Sequence, residues 1–179
     1  TACAAEIAHG TERDVAGFQA DVSVEADVER SVSAVLERFG RVDVLVNNAG
    51  HNVRKPLIDF EASELDSLLA VHVRGAFLYC RAVGRHMAAR RSGSIVNIAS
   101  MVSIVGAPGL SAYAAAKAGL AQLGRVLALE LAGQGVRVNS IAPGYIDTPL
   151  TRQHPEEHRV RIARAVPLGR FGAAEDLVG

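Results

Sequence analysis

The chain has 179 residues, 49% of them hydrophobic, with 19 basic side chains against 19 acidic ones. That length fits one domain with a real core, and the balanced charge excludes a basic nucleic-acid surface and a polybasic membrane anchor. No apolar run approaches the ~18 residues of a membrane span, no basic-then-apolar leader opens the chain, and Cys3 and Cys80 have no metal-type spacing, so the expected setting is a reducing one, the cytoplasm.

In chain order, 1-TACAAEIAHG-10 reads as a helix stopped by Gly10. The run 15-VAGFQA-20 reads as a strand ending at Asp21. Ser23 is the expected N-cap of a helix that carries Val28, Val32, Val35, Leu36 and Phe39 on one face and stops at Gly40. The run 42-VDVLV-46 is an apolar strand followed by the turn Asn47-Asn48-Ala49-Gly50, as suits the interior of a parallel sheet. A long helix is expected from Glu64 to Arg90 with Ser63 as cap, then a strand over 94–99, a second long helix from Ser111 to Leu131, a strand over 136–142, the break Pro143-Gly144, and a charged helix near 155–165. This alternation predicts an α/β fold, a doubly wound parallel sheet with helices on both faces, and 1–179 as a single partial domain.

In such sheets ligands bind at the carboxyl ends of strands. The residues found there are Asp21-Val22, the Asn-Asn-Ala-Gly turn, Ser100 after Ala99, and 143-PGYIDT-148. Tyr113 and Lys117 are four apart on one helix, so they share a face. A nearby ammonium stabilises a phenolate, which predicts a lowered pKa for Tyr113 and general acid/base use near neutrality. Ser100, 13 positions earlier, can fold back and present a hydroxyl to a carbonyl oxygen. Ser92, Ser94, Ser103 and Ser111 carry no comparable signal. Taken singly, each feature also has an ordinary reading: a helix pair, a capping serine, turn-forming asparagines and glycines.

Taken together and in this order, they resemble the short-chain dehydrogenase/reductase family over essentially the whole chain. The resemblance implies a Rossmann-like fold, NAD or NADP as cofactor, and hydride exchange with a small carbonyl or alcohol substrate. It makes Tyr113 the general acid/base, Lys117 the group that tunes it and holds the nicotinamide ribose, and Ser100 the group that orients the substrate oxygen. Asp21 and Val22 are expected near the adenine, Asn48, Ala49 and Gly50 along the cofactor, and Pro143, Gly144, Ile146 and Thr148 near the carboxamide. It also implies paired long helices, hence a homodimer or homotetramer, for which Ala76, Phe77, Cys80, Val83, Ala118, Leu120, Leu123, Leu127 and Leu131 are candidate contacts.

Two departures from the family pattern are visible. The glycine-rich turn that seats a pyrophosphate at a helix N-terminus is absent. The first strand, its helix and the second strand are therefore expected upstream of Thr1, and a last strand is expected beyond Gly179, leaving the choice of NAD or NADP unreadable. The family's usual asparagine in the long helix is His72 here, in 71-VHVRGAF-77. Two ring nitrogens can accept and donate, so a relay beside Lys117 and simple core packing are both open, and His72 is a candidate catalytic residue.

The run from Asn47 to Pro56, with Arg54-Lys55-Pro56, looks like the gluconate 5-dehydrogenase branch, so a sugar acid or polyol is the first expectation, with Arg54 on a carboxylate. The closing 167-PLGRFGAAEDLVG-179 is equally compatible with a 3-oxoacyl-carrier-protein reductase. An inactive fragment serving as an assembly module is the non-enzymatic alternative. In 154-HPEEH-158 the histidines lack zinc-protease spacing, so no metal is expected and the segment reads as a lid near the substrate. Tyr145 is expected to line the pocket and Tyr79 to lie on a helix face.

Overall fold

The computed structural model describes residues 2–11, 13–153 and 155–178. Among them, three parallel strands form one sheet in the order β1 (Val44–Asn47), β2 (Gly93–Ile98), β3 (Val136–Ile141). The register pairs Leu45 with Ile95 and Ile95 with Val138, then Asn47 with Asn97 and Asn97 with Ser140. Seven helices accompany it: α1 (Ala2–Thr11), α2 (Glu25–Phe39), α3 (Ala62–Leu69), α4 (Ala76–Arg90), α5 (Ser111–Ala132), the single turn α6 (Pro149–Arg152) and α7 (Glu156–Ala165). No helix among the described residues is long and apolar enough to cross a membrane.

The core follows from two periods. Every second strand residue faces the helices, and Ile95, Val136 and Val138 are buried there. The apolar stripe of α2 (Val28, Val32) and that of α4 (Leu78, Cys80, Val83, Met87) close over them. Gly93 sits where Met87 leaves no room, since a Cβ there would lie 2.4 Å from the Met87 sulfur. The opposite strand faces stay open, with Val44 58% and Val46 53% exposed.

Several expectations are corrected. Residues 15–20 form no strand, because no described segment lies alongside to complete a ladder, and a strand exists only with its neighbour. Ser23 does not cap α2. Val24 holds the cap position, while the Ser23 amide and hydroxyl both donate to the Asp21 carboxylate, at 2.9 and 2.7 Å. Ser63 gives way to Glu61, whose amide donates to the Glu64 carboxylate at 2.8 Å. The helix expected over 64–90 is broken by a π turn at Ala70–Gly75 between α3 and α4. Of the candidate helix-pairing residues, Ala76, Cys80, Val83 and Leu120 are buried inside the chain itself. The remaining elements lie within one or two residues of the sequence reading. His154 lies outside the described residues.

Candidate active site

Ser100 leaves β2 in extended geometry and opens a short 3-10 turn over Met101–Ser103. Its oxygen takes only a long 3.4 Å contact from the Val102 amide, so it keeps donor and acceptor capacity. The next element, α5, begins at Ser111 and brings Tyr113 back to it, close enough for the Ser100 hydroxyl to act on the phenol. One turn on, Lys117 is 4% exposed, and its ammonium lies 5.7 Å from the Tyr113 ring centroid. It donates to the Ile98 carbonyl at 2.6 Å, which leaves two of its three donors unspent.

The π turn sets the fourth side chain. It inserts an extra residue into the helix and turns His72 inward, where it is 2% exposed. The His72 ring meets the Tyr113 ring edge-on at 5.4 Å and stacks on His51 at 5.9 Å. Nε2 lies 2.7 Å from the His51 carbonyl oxygen, which can only accept, so Nε2 carries the proton. Nδ1 is then a buried acceptor without a partner among the described residues. Gly50 makes this packing possible: a Cβ there would lie 2.3 Å from His72 Cε1.

The electrostatics differ from the sequence expectation. Burial pushes the Tyr113 phenol above its usual value, and the Ser100 hydrogen bond acts against that rise. Burial brings Lys117 down to about 8 from 10.5. The lysine is engaged by a backbone carbonyl and is itself short of charge stabilisation, so the lowered phenol pKa expected from sequence does not arise from these residues alone. Burial also lowers the His72 imidazole, with the bond to His51 working the other way and Lys117 adding to the fall.

Two cavities flank the group. One of about 230 Å³ is lined by Val22, Asn48, Ala49, Val71, His72 and Gly75. The other, of about 460 Å³, holds Ser100 and Tyr113 with Arg54, Gly144, Tyr145 and Thr151. The sequence-predicted residues sort accordingly. Val22, Asn48 and Ala49 line the first cavity and Gly144 the second. Asp21 lines neither, because its carboxylate closes the turn onto Ser23. Pro143 fixes the loop by accepting from the Met101 amide at 2.9 Å. Ile146 bridges Gly172, and Thr148 spends its backbone and hydroxyl on Thr151. Thr151, Gln153 and Asn52 line the second cavity and were missed. Only Thr151 had a signal, the hydroxyl three residues after Thr148 at a helix start. Tyr145 lines the pocket as expected, and Tyr79 lies on α4 with its hydroxyl 2.8 Å from that of Ser31.

These residues fit the ribose and nicotinamide half of a dinucleotide. Lys117 offers two donors beyond its bond to Ile98, and the cavity wall at Asn48 and Ala49 has no bulky side chain to hold a flat ligand away, while Gly50 packs on His72 outside that lining. Among the described residues no group of His, Cys, Asp and Glu is placed to bind a metal.

Residues 1–179 match the family model described as enoyl-(acyl carrier protein) reductase. A 3-oxoacyl-(acyl-carrier-protein) reductase of Thermotoga maritima is 39% identical over 170 residues, covering 95% of this chain and 69% of the relative. The 2-(R)-hydroxypropyl-CoM dehydrogenase of Xanthobacter autotrophicus is 41% identical over 171 residues, 93% of this chain and 68% of that one. Among solved structures, an NAD+-bound xylitol dehydrogenase superposes with a TM-score of 0.91 at 30% identity, covering 96% of this chain and 72% of its own. A levodione reductase does so with 0.91 at 36% identity, covering 98% and 72%. The chain thus spans roughly two thirds of the length of these relatives. With its parallel sheet, its Rossmann-fold neighbours and a family-model match over residues 1–179, the chain belongs to the short-chain dehydrogenase/reductase family of NAD(P)-dependent oxidoreductases.

Proposed function

We propose that the chain carries the proton-handling and substrate half of an enzyme that interconverts a carbonyl and a secondary alcohol, with Tyr113 as general acid/base. The observation behind this reading is that Ser100 and Tyr113 line one cavity together, with the buried Lys117 ammonium 5.7 Å from the Tyr113 ring centroid. When bound, NAD or NADP supplies or accepts the hydride. The chain's own residues do the rest. Ser100 fixes the substrate oxygen. Tyr113 gives that oxygen its proton in reduction and removes it in oxidation. Lys117 holds ribose hydroxyls with its spare donors and stabilises the phenolate once its own charge is satisfied. His72 is a positioning residue that ties the turn after β1 to the π turn through the His51 carbonyl.

For the substrate, Arg54 supports a small acid. It stands on the second cavity with the Pro108 carbonyl, at 3.4 Å, as its one partner among the described residues, while the neighbouring Lys55 is neutralised by Glu64 at 2.5 Å. A sugar acid or polyol is the first reading. A 3-oxoacyl substrate is the second, favoured by the apolar Met101, Val102 and Leu110 in the same wall and by the reductases among the relatives. The chain is read as one domain that pairs through exposed faces of α4 and α5.

The test is a titration of this chain with NADH and NADPH followed by nicotinamide fluorescence, then turnover assays with gluconate-type and 3-oxoacyl substrates. Saturable binding and turnover, with Tyr113→Phe lowering kcat about 10²- to 10⁴-fold at unchanged nucleotide binding, is the expected result. Binding of neither nucleotide by a folded chain would leave the assembly-module reading.

A further inference from the structure

The cavity beside Ser100 and Tyr113 has a neighbour on the other side of Tyr145. Arg54, Met101, Gly144 and Tyr145 also border a larger space of about 730 Å³ beneath α7. Ile146, Ile162, Val166 and Leu168 form its apolar wall, with Ile162 buried and Leu168 78% exposed, and His158 lines it as well. The cations around it differ in one respect. Arg170 is bound to Asp176 at 2.7 Å, and that carboxyl is held at about 2 by the pair and by the Ala173 amide. Among the described residues Arg54 meets only a backbone carbonyl, and Arg161 has no hydrogen bond or ion pair.

Each cavity alone is of the size that takes a small organic ligand, about 300–1,000 Å³. The two share four lining residues, and a ligand that spanned both would exceed a compact sugar acid in length. A polyhydroxylated chain in the larger space would also set its hydroxyls against aliphatic wall, where they lose water without gaining partners. An aliphatic arm has no such penalty, and a negative end would meet the unpaired guanidinium.

We propose that the space beneath α7 is a distal subsite for an aliphatic arm ending in a carboxylate, with Ile146, Ile162, Val166 and Leu168 along the arm and Arg161 at its end. The substrate is then an oxo or hydroxy acid whose reacting carbon, at Ser100 and Tyr113, is several methylenes from its acid group. This rests on the reading of the first cavity as the reacting end and favours a longer acid over the compact sugar acid, with the carboxylate at Arg161 rather than Arg54; occupancy of the subsite does not need catalysis.

The experiment is calorimetric titration of this chain with butyrate, decanoate and 1-decanol, none of which carries a carbonyl for reduction. Each methylene buried adds about fourfold in affinity, so decanoate should bind at least a hundredfold more tightly than butyrate. Arg161→Ala should weaken decanoate about tenfold and leave 1-decanol unchanged. Leu168→Asp, at an exposed position where folding is not at stake, should weaken both. Tyr113→Phe should leave all three unchanged while removing turnover, so failure of the oxidoreductase reading and failure of the subsite register separately. Decanoate binding no tighter than butyrate overturns the proposal, as does binding indifferent to both Arg161→Ala and Leu168→Asp.

Discussion

The ammonium four residues after Tyr113 lies over the phenol ring, and burial holds its pKa at about 8 rather than 10.5. A lysine whose folded pKa is depressed binds fewer protons in the fold than in the unfolded chain between those two values. Stability therefore rises with pH across the window from about 8 to 10.5, with a limiting slope of about 1.4 kcal/mol per pH unit. Below pH 8 the whole cost of the buried charge is present. Tyr113, raised by burial, contributes with the opposite sign above its unfolded value, but it does so in wild type and variant alike. The difference in unfolding free energy between wild type and Lys117→Met should thus climb from pH 8 to 10.5 and be flat from 6 to 7, as read by urea denaturation at each pH. A difference constant over the whole range would mean that Lys117 titrates as an ordinary lysine. The trio Ser100, Tyr113 and Lys117 was legible in the sequence because its spacing maps onto one loop and one helical turn. The state of the lysine was not, since desolvation depends on Ile98 and the strand end above it, which no local pattern encodes.

Helices and strand runs were read from their apolar periods to within a residue or two over most of the chain, because burial of one face enforces the period locally. The π turn at Ala70–Gly75 escaped, since one inserted residue barely disturbs a small-residue pattern, yet it is what turns His72 toward Tyr113. The segment 15–20 has the composition of a strand and lacks the pairing, which is a property of its neighbours. Glycine stops illustrate the same division. Gly40 after α2 and Gly135 before β3 both have positive φ, +74° and +73°. Sequence treats them alike, and alanine at either carries the left-handed penalty of about 1 kcal/mol. They differ in surroundings: a Cβ at Gly40 meets nothing within 4 Å, whereas at Gly135 it would lie 2.4 Å from the Arg91 carbonyl oxygen. Gly40→Ala should cost about 1 kcal/mol, and Gly135→Ala about 2–4 kcal/mol, because the turn that ends α4 must move. Equal costs in thermal or urea unfolding would show that the Arg91 turn yields freely.

At the scale of the whole molecule, the helices that carry the site also carry an unspent apolar face. The residues of α4 and α5 that point to the sheet are buried within the chain, but Phe77 is 46% exposed, Val126 42% and Leu129 82%. Phe77 stands with Leu69, Val73 and Leu123 around a shallow hollow whose only charged members are Asp66 and Arg74. A patch of this kind, continuous across two long helices, is the sort that a second subunit covers. Because α5 also carries Tyr113 and Lys117, pairing there would stiffen the element on which the proton chemistry depends. A two-fold contact uses each residue twice, so a single introduced charge faces its own copy or an apolar neighbour across the axis. Phe77→Glu combined with Val126→Glu should therefore convert the chain to monomer in sedimentation equilibrium. Ile58→Glu, at a site 92% exposed on the Leu57–Asp59 turn, should leave the assembly unchanged. Identical masses for wild type and the double variant would mean that α4 and α5 face solvent in solution, and that the exposed edge of β1 is the surface to examine next.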